Sequence, residues 1–274
     1  MKENQEKENR ETPGAVSVPS RQDEVVRVRN LVKTYGAKGF QTKVLKGIDL
    51  TIHKQDFIAI MGPSGSGKTT FLNILSTIDK PTQGTVVLDG QDITEVSNKE
   101  LSRLRRDKIG FVFQDYNLLD TMTLLDNIVL PLTLNGVPAR EAGKRAKELA
   151  QLMGLSEHLK KYPYQLSGGQ KQRGAVCRAL VPGPRIIFAD EPTGALDSKS
   201  GKDLLECFKA VNENGQATIL MVTHDPFCAS YAKDVYMLGD GKIMCRITRG
   251  NGRKEFYDRI IDVQTSVGGD FLCQ

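Results

Sequence analysis

Gly62-Pro63-Ser64-Gly65-Ser66-Gly67-Lys68-Thr69 constrains this chain more than any other segment. It fits the pattern G-x-x-x-x-G-K-[ST], and its setting fits too. Phe57–Met61 before it is apolar without alternation, as in a strand buried on both faces of a mainly parallel sheet. Thr69–Ser76 after it can form a helix. A triphosphate carries several negative charges that must be wrapped by donors at close range. Glycines let backbone N–H groups turn inward toward phosphate oxygens. The following helix points its partly positive N-terminus at them. Lys68 adds a point charge between the β- and γ-phosphates, and Thr69 offers a hydroxyl to Mg²⁺. Gly62 through Thr69, with Thr70 beyond, is therefore the expected phosphate cradle.

A second apolar run, Ile186-Ile187-Phe188-Ala189, ends in Asp190-Glu191. Adjacent acids at the end of a buried strand suit a cation and a proton transfer. Asp190 is expected to hold Mg²⁺, and Glu191 to accept a proton from the attacking water.

Around these motifs the pattern is α/β. Val26 and Val28 alternate with arginines, and Ile48, Leu50 and Ile52 alternate with polar residues, as half-buried strands do. Val86–Leu88, Asp89-Gly90 and Ile93 read as a hairpin with a tight turn. From Asn98 to about Pro163 the pattern is mainly helical, with Leu125, Ile128 and Leu132, then Ala142, Ala146, Leu149 and Met153, at helical spacing. Leu204, Leu205, Phe208 and Val211 mark a helix between Ile186–Phe188 and Thr218–Val222, a strand–helix–strand crossover. Met237-Leu238, Gly239-Asp240-Gly241 and Ile243-Met244 read as a closing hairpin. Residues 1–24 are expected to be a disordered leader, residues 25–245 the folded domain with a helical subdomain at about 115–175, and residues 246–274 a polar tail with a short amphipathic stretch (Phe256, Ile260, Val263).

Composition excludes several classes. Hydrophobic residues are 39% and charged residues 26% of the 274, near the globular average, which rules out collagen-like, mucin-like and wholly disordered chains. The net charge of +5 is too weak to argue for nucleic acid. No apolar run approaches the roughly 20 residues of a membrane-spanning helix, and MKENQEKENRETPG lacks the apolar stretch expected of a signal peptide. Cys177, Cys207, Cys228, Cys245 and Cys273 are scattered and read as reduced thiols of a cytosolic protein. His53 and His158, and the basic runs Arg103–Lys108 and Lys144–Lys147, read as ordinary surface or core residues.

Leu166-Ser167-Gly168-Gly169-Gln170, standing between the phosphate loop and the IIFADE strand, gives an order of motifs that resembles ABC ATPases. The resemblance covers roughly residues 25–245. It implies a P-loop NTPase core with a mainly parallel sheet, an N-terminal antiparallel β subdomain and a helical subdomain. It implies ATP and Mg²⁺ as cofactors. Tyr35 resembles the aromatic that stacks on adenine. Gln114, after Ile109–Phe113, resembles the glutamine that reaches Mg²⁺ and the attacking water. Ala195-Leu196-Asp197 resembles the D-loop, and His224 the histidine that contacts the γ-phosphate. In the family, the helix opened by Ser167, Gly168 and Gly169, with Gln170, caps the γ-phosphate bound by a second subunit in a head-to-tail pair. Gly174 and Pro182-Gly183-Pro184 depart from the family pattern, Gly174 at about 1 kcal/mol of helix propensity.

One cassette without a membrane span implies an ATPase subunit docked on a separate permease at the cytoplasmic face of the cell membrane. Val44–Ile48, Ser76–Asp79 and Glu191–Asp197 resemble the macrolide-export and lipoprotein-release branch. Met221–Pro226 and Arg249–Phe256 resemble bacitracin-export-type ATPases, which implies peptide-antibiotic transport. The apolar segment Tyr116–Leu125 is either a permease-facing surface or internal packing. The alternatives are a soluble ABC ATPase of another class and a nucleotide-binding regulator without turnover. A single phosphate loop, no sustained heptads, and the presence of Glu191 and His224 speak against them.

Overall fold

The structure is a computed structural model that describes residues 23–269 apart from Lys38 and Gln216. Most of the expected leader, and Cys273, lie outside the described residues. In the first sheet, β1 (Glu24–Tyr35) lies between β2 (Thr42–His53) and β4 (Gln83–Leu88), with β5 (Gln91–Asp92) outermost; all its pairs are antiparallel. Asp89 and Gly90 join β4 to β5 with φ of 47° and 81°, both positive as a tight hairpin turn requires. β1 runs six residues past the Val25–Arg29 alternation. It passes a left-handed kink at Asn30 (φ 46°), where the register against β2 and β4 shifts.

The second sheet has the order β10 (Lys242–Thr248), β9 (Asp234–Gly239), β3 (Phe57–Met61), β8 (Thr218–Val222), β7 (Ile186–Asp190), β6 (Ile109–Val112). It is parallel from β9 to β6, and only β10 runs antiparallel. β3 and β8 are buried along their whole length. Their side chains alternate between two cores. Ala59, Met61, Ile219 and Met221 face one core; Ile58, Ile60, Leu220 and Val222 face the other, which the first sheet also covers.

Helices α1 (Lys68–Leu75), α2 (Asn98–Lys108), α3 (Leu124–Leu134), α4 (Ala139–Leu152), α5 (Gly168–Leu180), α6 (Ser198–Glu213), α7 (Pro226–Ala229) and α8 (Arg253–Gly269) complete the chain. The mainly helical stretch expected from Asn98 is broken by β6 and by the loop that follows it. α3, α4 and α5 pack on one another, and α5 also lies on β6 and α6. A Cβ on Gly174 would stand 2.5 Å from Leu124 Cδ1. The propensity cost of that glycine is therefore the cost of a close α3–α5 approach. Of the apolar segment after Gln114, Leu124 is fully buried, Leu118 packs on the core and Leu119 is 44% exposed, so internal packing takes most of it.

The stretch from Arg246 is not a detached tail. β10 continues to Thr248, and α8 packs on α7 and β9. Phe256 and Ile260 are buried, and the Arg253 guanidinium lies 4.4 Å from the Tyr231 ring centre and 5.3 Å from that of Phe227. Phe256→Ala should cost about 3–5 kcal/mol in urea unfolding, while Lys254→Ala on the exposed side should cost under about 0.5 kcal/mol. A Phe256→Ala loss below about 1 kcal/mol would mean that α8 adds little to the fold.

Candidate active site

β3, β8 and β7 run parallel and in register, with Ile60 opposite Val222 and Val222 opposite Asp190. Their C-terminal ends therefore release three loops along one edge of the sheet. After β3 comes Gly62–Gly67, which leads directly into α1. A Cβ on Gly62 would lie 2.0 Å from Leu238 O, so only glycine lets the loop pass this close to β9. Gly67, in a left-handed conformation, starts α1 with no side-chain cap. The Lys68 ammonium turns back across the loop and donates to Gly62 O at 2.8 Å and Pro63 O at 3.0 Å. Burial lowers its pKa, while Glu191 and Asp190 act in the opposite sense.

After β7, Glu191 N donates to Val222 O at 2.9 Å, and Glu191 adopts a left-handed conformation (φ 44°) that swings its carboxylate over β8. After β8, Thr223 Oγ1 donates to Glu191 Oε2 at 3.1 Å, and His224 Nδ1 lies 2.8 Å from Glu191 Oε1. An ionised carboxylate only accepts, so Nδ1 carries the proton. His224 Nε2 is left for solvent or a ligand, on a side chain that is 73% exposed. Asp190 sits beside this pair. Burial, then the charge of Glu191, push its carboxyl above the usual range, against the pull of Lys68.

The other expected residues surround this edge. Gln114, past β6, lies against Gly194, three residues beyond Glu191; its amide nitrogen would stand 3.2 Å from a Cβ there. The Tyr35 hydroxyl donates to Asp79 Oδ2 at 2.6 Å, and Lys33 Nζ donates to Asp79 Oδ1 at 2.7 Å. Lys33 Nζ is also 4.6 Å from the Tyr35 ring centre. Burial raises the Tyr35 pKa, and Asp79 reinforces this, although 42% of the residue remains exposed. Thr69 and Thr70 fall in the first turn of α1.

Ser167–Gln170 and Asp197 stand apart from the phosphate loop, at the N-termini of α5 and α6. Ser167 Oγ accepts from Gln170 N at 3.3 Å, and Gln170 Oε1 accepts from Ser167 N at 2.9 Å. Asp197 caps α6 by accepting from Lys199 N, Ser200 N and Ser200 Oγ. A Cβ on Gly169 would meet Ser200 Oγ at 2.8 Å, so this glycine lets the two helix starts meet. Gly168 lies near Leu196 and Ala195 O, so the start of α5 stands against the connection from β7 to α6.

Sequence reasoning missed Gln172. Its buried amide donates to Phe113 O at 3.0 Å and Pro192 O at 2.7 Å, tying the residue before Gln114 to the residue after Glu191. The available signal was a polar side chain on the helix face that also carries Gly169 and Val176. Arg178 was missed as well; it donates to Tyr116 O at 3.0 Å and to Asn117 O, which holds the loop beyond Gln114 to α5.

A glycine-rich loop between a parallel strand and a helix, with acids at the end of a strand two places away, defines a P-loop nucleotide-binding ATPase. The chain belongs to the ABC transporter family, whose profile matches residues 45–194. Within that family it is the ATP-hydrolysing subunit of a transporter. It is 47% identical to the bacitracin export ATP-binding protein BceA of Halalkalibacterium halodurans, over 89% of this chain and 97% of that protein. It is 46% identical to the macrolide export ATP-binding/permease protein MacB of Campylobacter jejuni, over 80% of this chain but 34% of that protein. Among solved structures, the ATP-binding cassette MJ0796, dimeric and in a post-hydrolysis state with ADP and phosphate, superposes with a TM-score of 0.75. That match has 42% identity and covers 82% of this chain and all of that one. CbiO1 of Clostridium perfringens, part of the transporter complex cbiONQ, gives 0.76 at 26% identity, over 91% and 99%.

The raised Asp190 pKa has a consequence for stability. The folded chain keeps this proton to a higher pH than the unfolded chain, whose value is about 4. Stability therefore falls as pH rises from about 4 through the folded value, because ionised Asp190 is disfavoured in the fold. Without nucleotide, Asp190→Asn should be more stable than the parent at pH 7, with the difference vanishing below about pH 4. A variant that is less stable at pH 7, by thermal unfolding, would contradict the sign.

Proposed function

We propose that Glu191 is the general base of ATP hydrolysis. The observation that carries this is its carboxylate, held by Thr223 Oγ1 and His224 Nδ1 above the edge where the phosphate loop opens. A base fixed at both oxygens keeps its lone pairs oriented toward an attacking water. Lys68 and the backbone N–H groups of Gly62 and Ser64–Thr69 hold the β- and γ-phosphates. His224 contacts the γ-phosphate with both ring nitrogens as donors, one to Glu191 and one to the phosphate, and Tyr35 stacks on the adenine. Thr69, Thr70 and Asp197 complete the contacts.

Thr69, Gln114 and Asp190 hold Mg²⁺. They supply hydroxyl, amide and carboxylate oxygens, the donors a hard cation takes. Asp190, crowded by Glu191, gains from a cation beside it. When bound, Mg²⁺ offsets charge on the phosphate oxygens.

Ser167, Gly168 and Gly169 cap the γ-phosphate bound by a second copy of this chain, paired head to tail. Supporting this, the start of α5 packs on Tyr116, Ala195, Leu196 and Ser200, none of them in the chain's own phosphate loop. Gln170 acts in the cap of α5 and not on nucleotide, because both ends of its carboxamide are engaged within the chain.

No helix among the described residues is long and apolar enough to cross a membrane. The pair docks on a permease at the cytoplasmic face of the cell membrane, with exposed Leu119 in the contact surface beside Gln114. The cargo is a peptide antibiotic of the bacitracin kind, as the name of the 47% identical BceA suggests.

Glu191→Gln should bind ATP like the parent and lose turnover by about 10²–10⁴-fold, measured by phosphate release beside binding of a fluorescent ATP analogue. Hydrolysis near the parental rate would remove Glu191 from the role of base. Bacitracin should raise the ATPase rate of the assembled transporter; a rate indifferent to it would overturn the cargo.

A further inference from the structure

We propose that His158 is a positioning residue for the α5 terminus: it holds the Gln170 carboxamide in the one orientation that keeps Ser167 capped and its hydroxyl proton free for an anionic ligand. His158 ends the short 3₁₀ turn Ser156–His158, which packs on α4. Its Nε2 lies 3.1 Å from Gln170 Nε2. Gln170 Oε1 is already committed, because it accepts from Ser167 N. The amide nitrogen therefore faces the ring, and an amide nitrogen only donates. His158 Nε2 must accept, so the ring is neutral with its proton on Nδ1.

That proton gains nothing where it is. Nδ1 is buried and has no hydrogen-bond partner among the described residues. A buried, unpaired N–H is unfavourable, and an apolar side chain would fill the same space without it. The imidazole contributes through Nε2 alone. Its contribution reaches the exposed Ser167, whose Oγ accepts from Gln170 N at 3.3 Å and still has its own hydrogen to donate. Without the ring, the carboxamide is free to turn over and present NH₂ to Ser167 N–H. Two donors would then face each other and the reciprocal cap would open. No motif contains His158, and nothing in its sequence setting marks it.

The inference deepens the reading that this terminus closes on phosphate bound by a second copy, and rests on it for its functional effect. Two measurements on the full chain, in the Glu191→Gln background, separate the two ideas. Amide hydrogen exchange at Ser167 and Gln170 in the nucleotide-free monomer reads the cap directly. ATP-driven dimerisation, followed by light scattering across ATP concentrations, reads its consequence.

His158→Ala should speed exchange at both amides and raise the ATP needed for half-dimerisation about tenfold, the scale of one hydrogen bond to a charged group. ATP binding by the monomer should stay unchanged. His158→Gln, whose amide oxygen reaches the place of Nε2, should restore both readouts, and His158→Lys, a donor only, should restore neither. Unchanged exchange in His158→Ala overturns the inference whatever the dimer does. So does a His158→Gln chain that melts like the parent yet exchanges like His158→Ala. If exchange rises but the His158 parent never dimerises with ATP, the positioning role stands and the paired-site reading falls.

Discussion

Everything at this site depends on parallel pairing of β3, β8 and β7 without a slip. Two backbone bonds carry the ladder one residue beyond the strands, Thr223 N to Ile60 O at 3.1 Å and Glu191 N to Val222 O at 2.9 Å. They set Thr223 and Glu191 level with the mouth of the phosphate loop. A shift of one residue would send each of these side chains to the opposite face of the sheet. The register is strongly specified because both faces are buried. Each fully buried Ile, Val or Met contributes about 1.5–3 kcal/mol, and a slip would exchange the two cores. The geometry of this site is thus a by-product of apolar packing several residues away.

That dependence explains which features were legible in the sequence. Phe57–Met61 and Thr218–Val222 are apolar because they are buried on both faces, so their place at the sheet centre could be read directly. Asp89-Gly90 announces its turn, since few residues besides Asp, Asn and Gly adopt positive φ readily. The phosphate loop and the Asp190-Glu191 pair were legible because their chemistry is local and admits few residue types. Less was legible wherever a residue's meaning lies in a distant partner. β1 beyond Arg29 breaks its alternation at Asn30, and only pairing with β2 keeps it a strand. Gly174 carries no mark of the leucine it admits, 50 positions away at Leu124. Gln172 and His158 belong to the same class: each matters through atoms contributed by other segments.

The C-terminal segment illustrates the same point on a larger scale. Its amphipathic stretch is short, and nothing in it names the surface it covers. In the fold, Arg253 lies over Tyr231 and Phe227, which meet edge to face at 5.7 Å. Phe227 N donates to Asp225 Oδ1 at 2.8 Å, and Asp225 N donates to Thr223 Oγ1 at 3.1 Å. The turn carrying His224 is therefore braced by α7, which is in turn covered by α8. Arginine suits that place because its planar, weakly hydrated cation stacks on aromatic faces while its edge stays wet.

The helix starts separate ligand-facing positions from structural ones. α2, α3, α5 and α6 satisfy their first backbone donors internally, through Ser97, Thr123, Ser167 and Asp197. α1 does not: Gly67 has no side chain, the first turn holds no acid, and Lys68 adds a positive charge where a carboxylate would otherwise cap. A helix meant only to pack starts more stably, by about 1 kcal/mol, from an extended residue carrying Ser or Asp, a start that the left-handed Gly67 does not offer. α4 also starts without a side-chain cap, at Pro138, but it carries Glu141 in its first turn. An uncapped start with a lysine in place of an acid suits a partner that brings its own negative charge, as the terminal phosphates of a nucleotide do. At α5 the compromise is different. The cap is closed by Ser167 as acceptor, so the fold is stable alone, yet the serine hydroxyl hydrogen stays outside the cap's own bonds. On the proposed reading, one terminus holds phosphate and the other meets it, and the two work on the same anion from opposite sides.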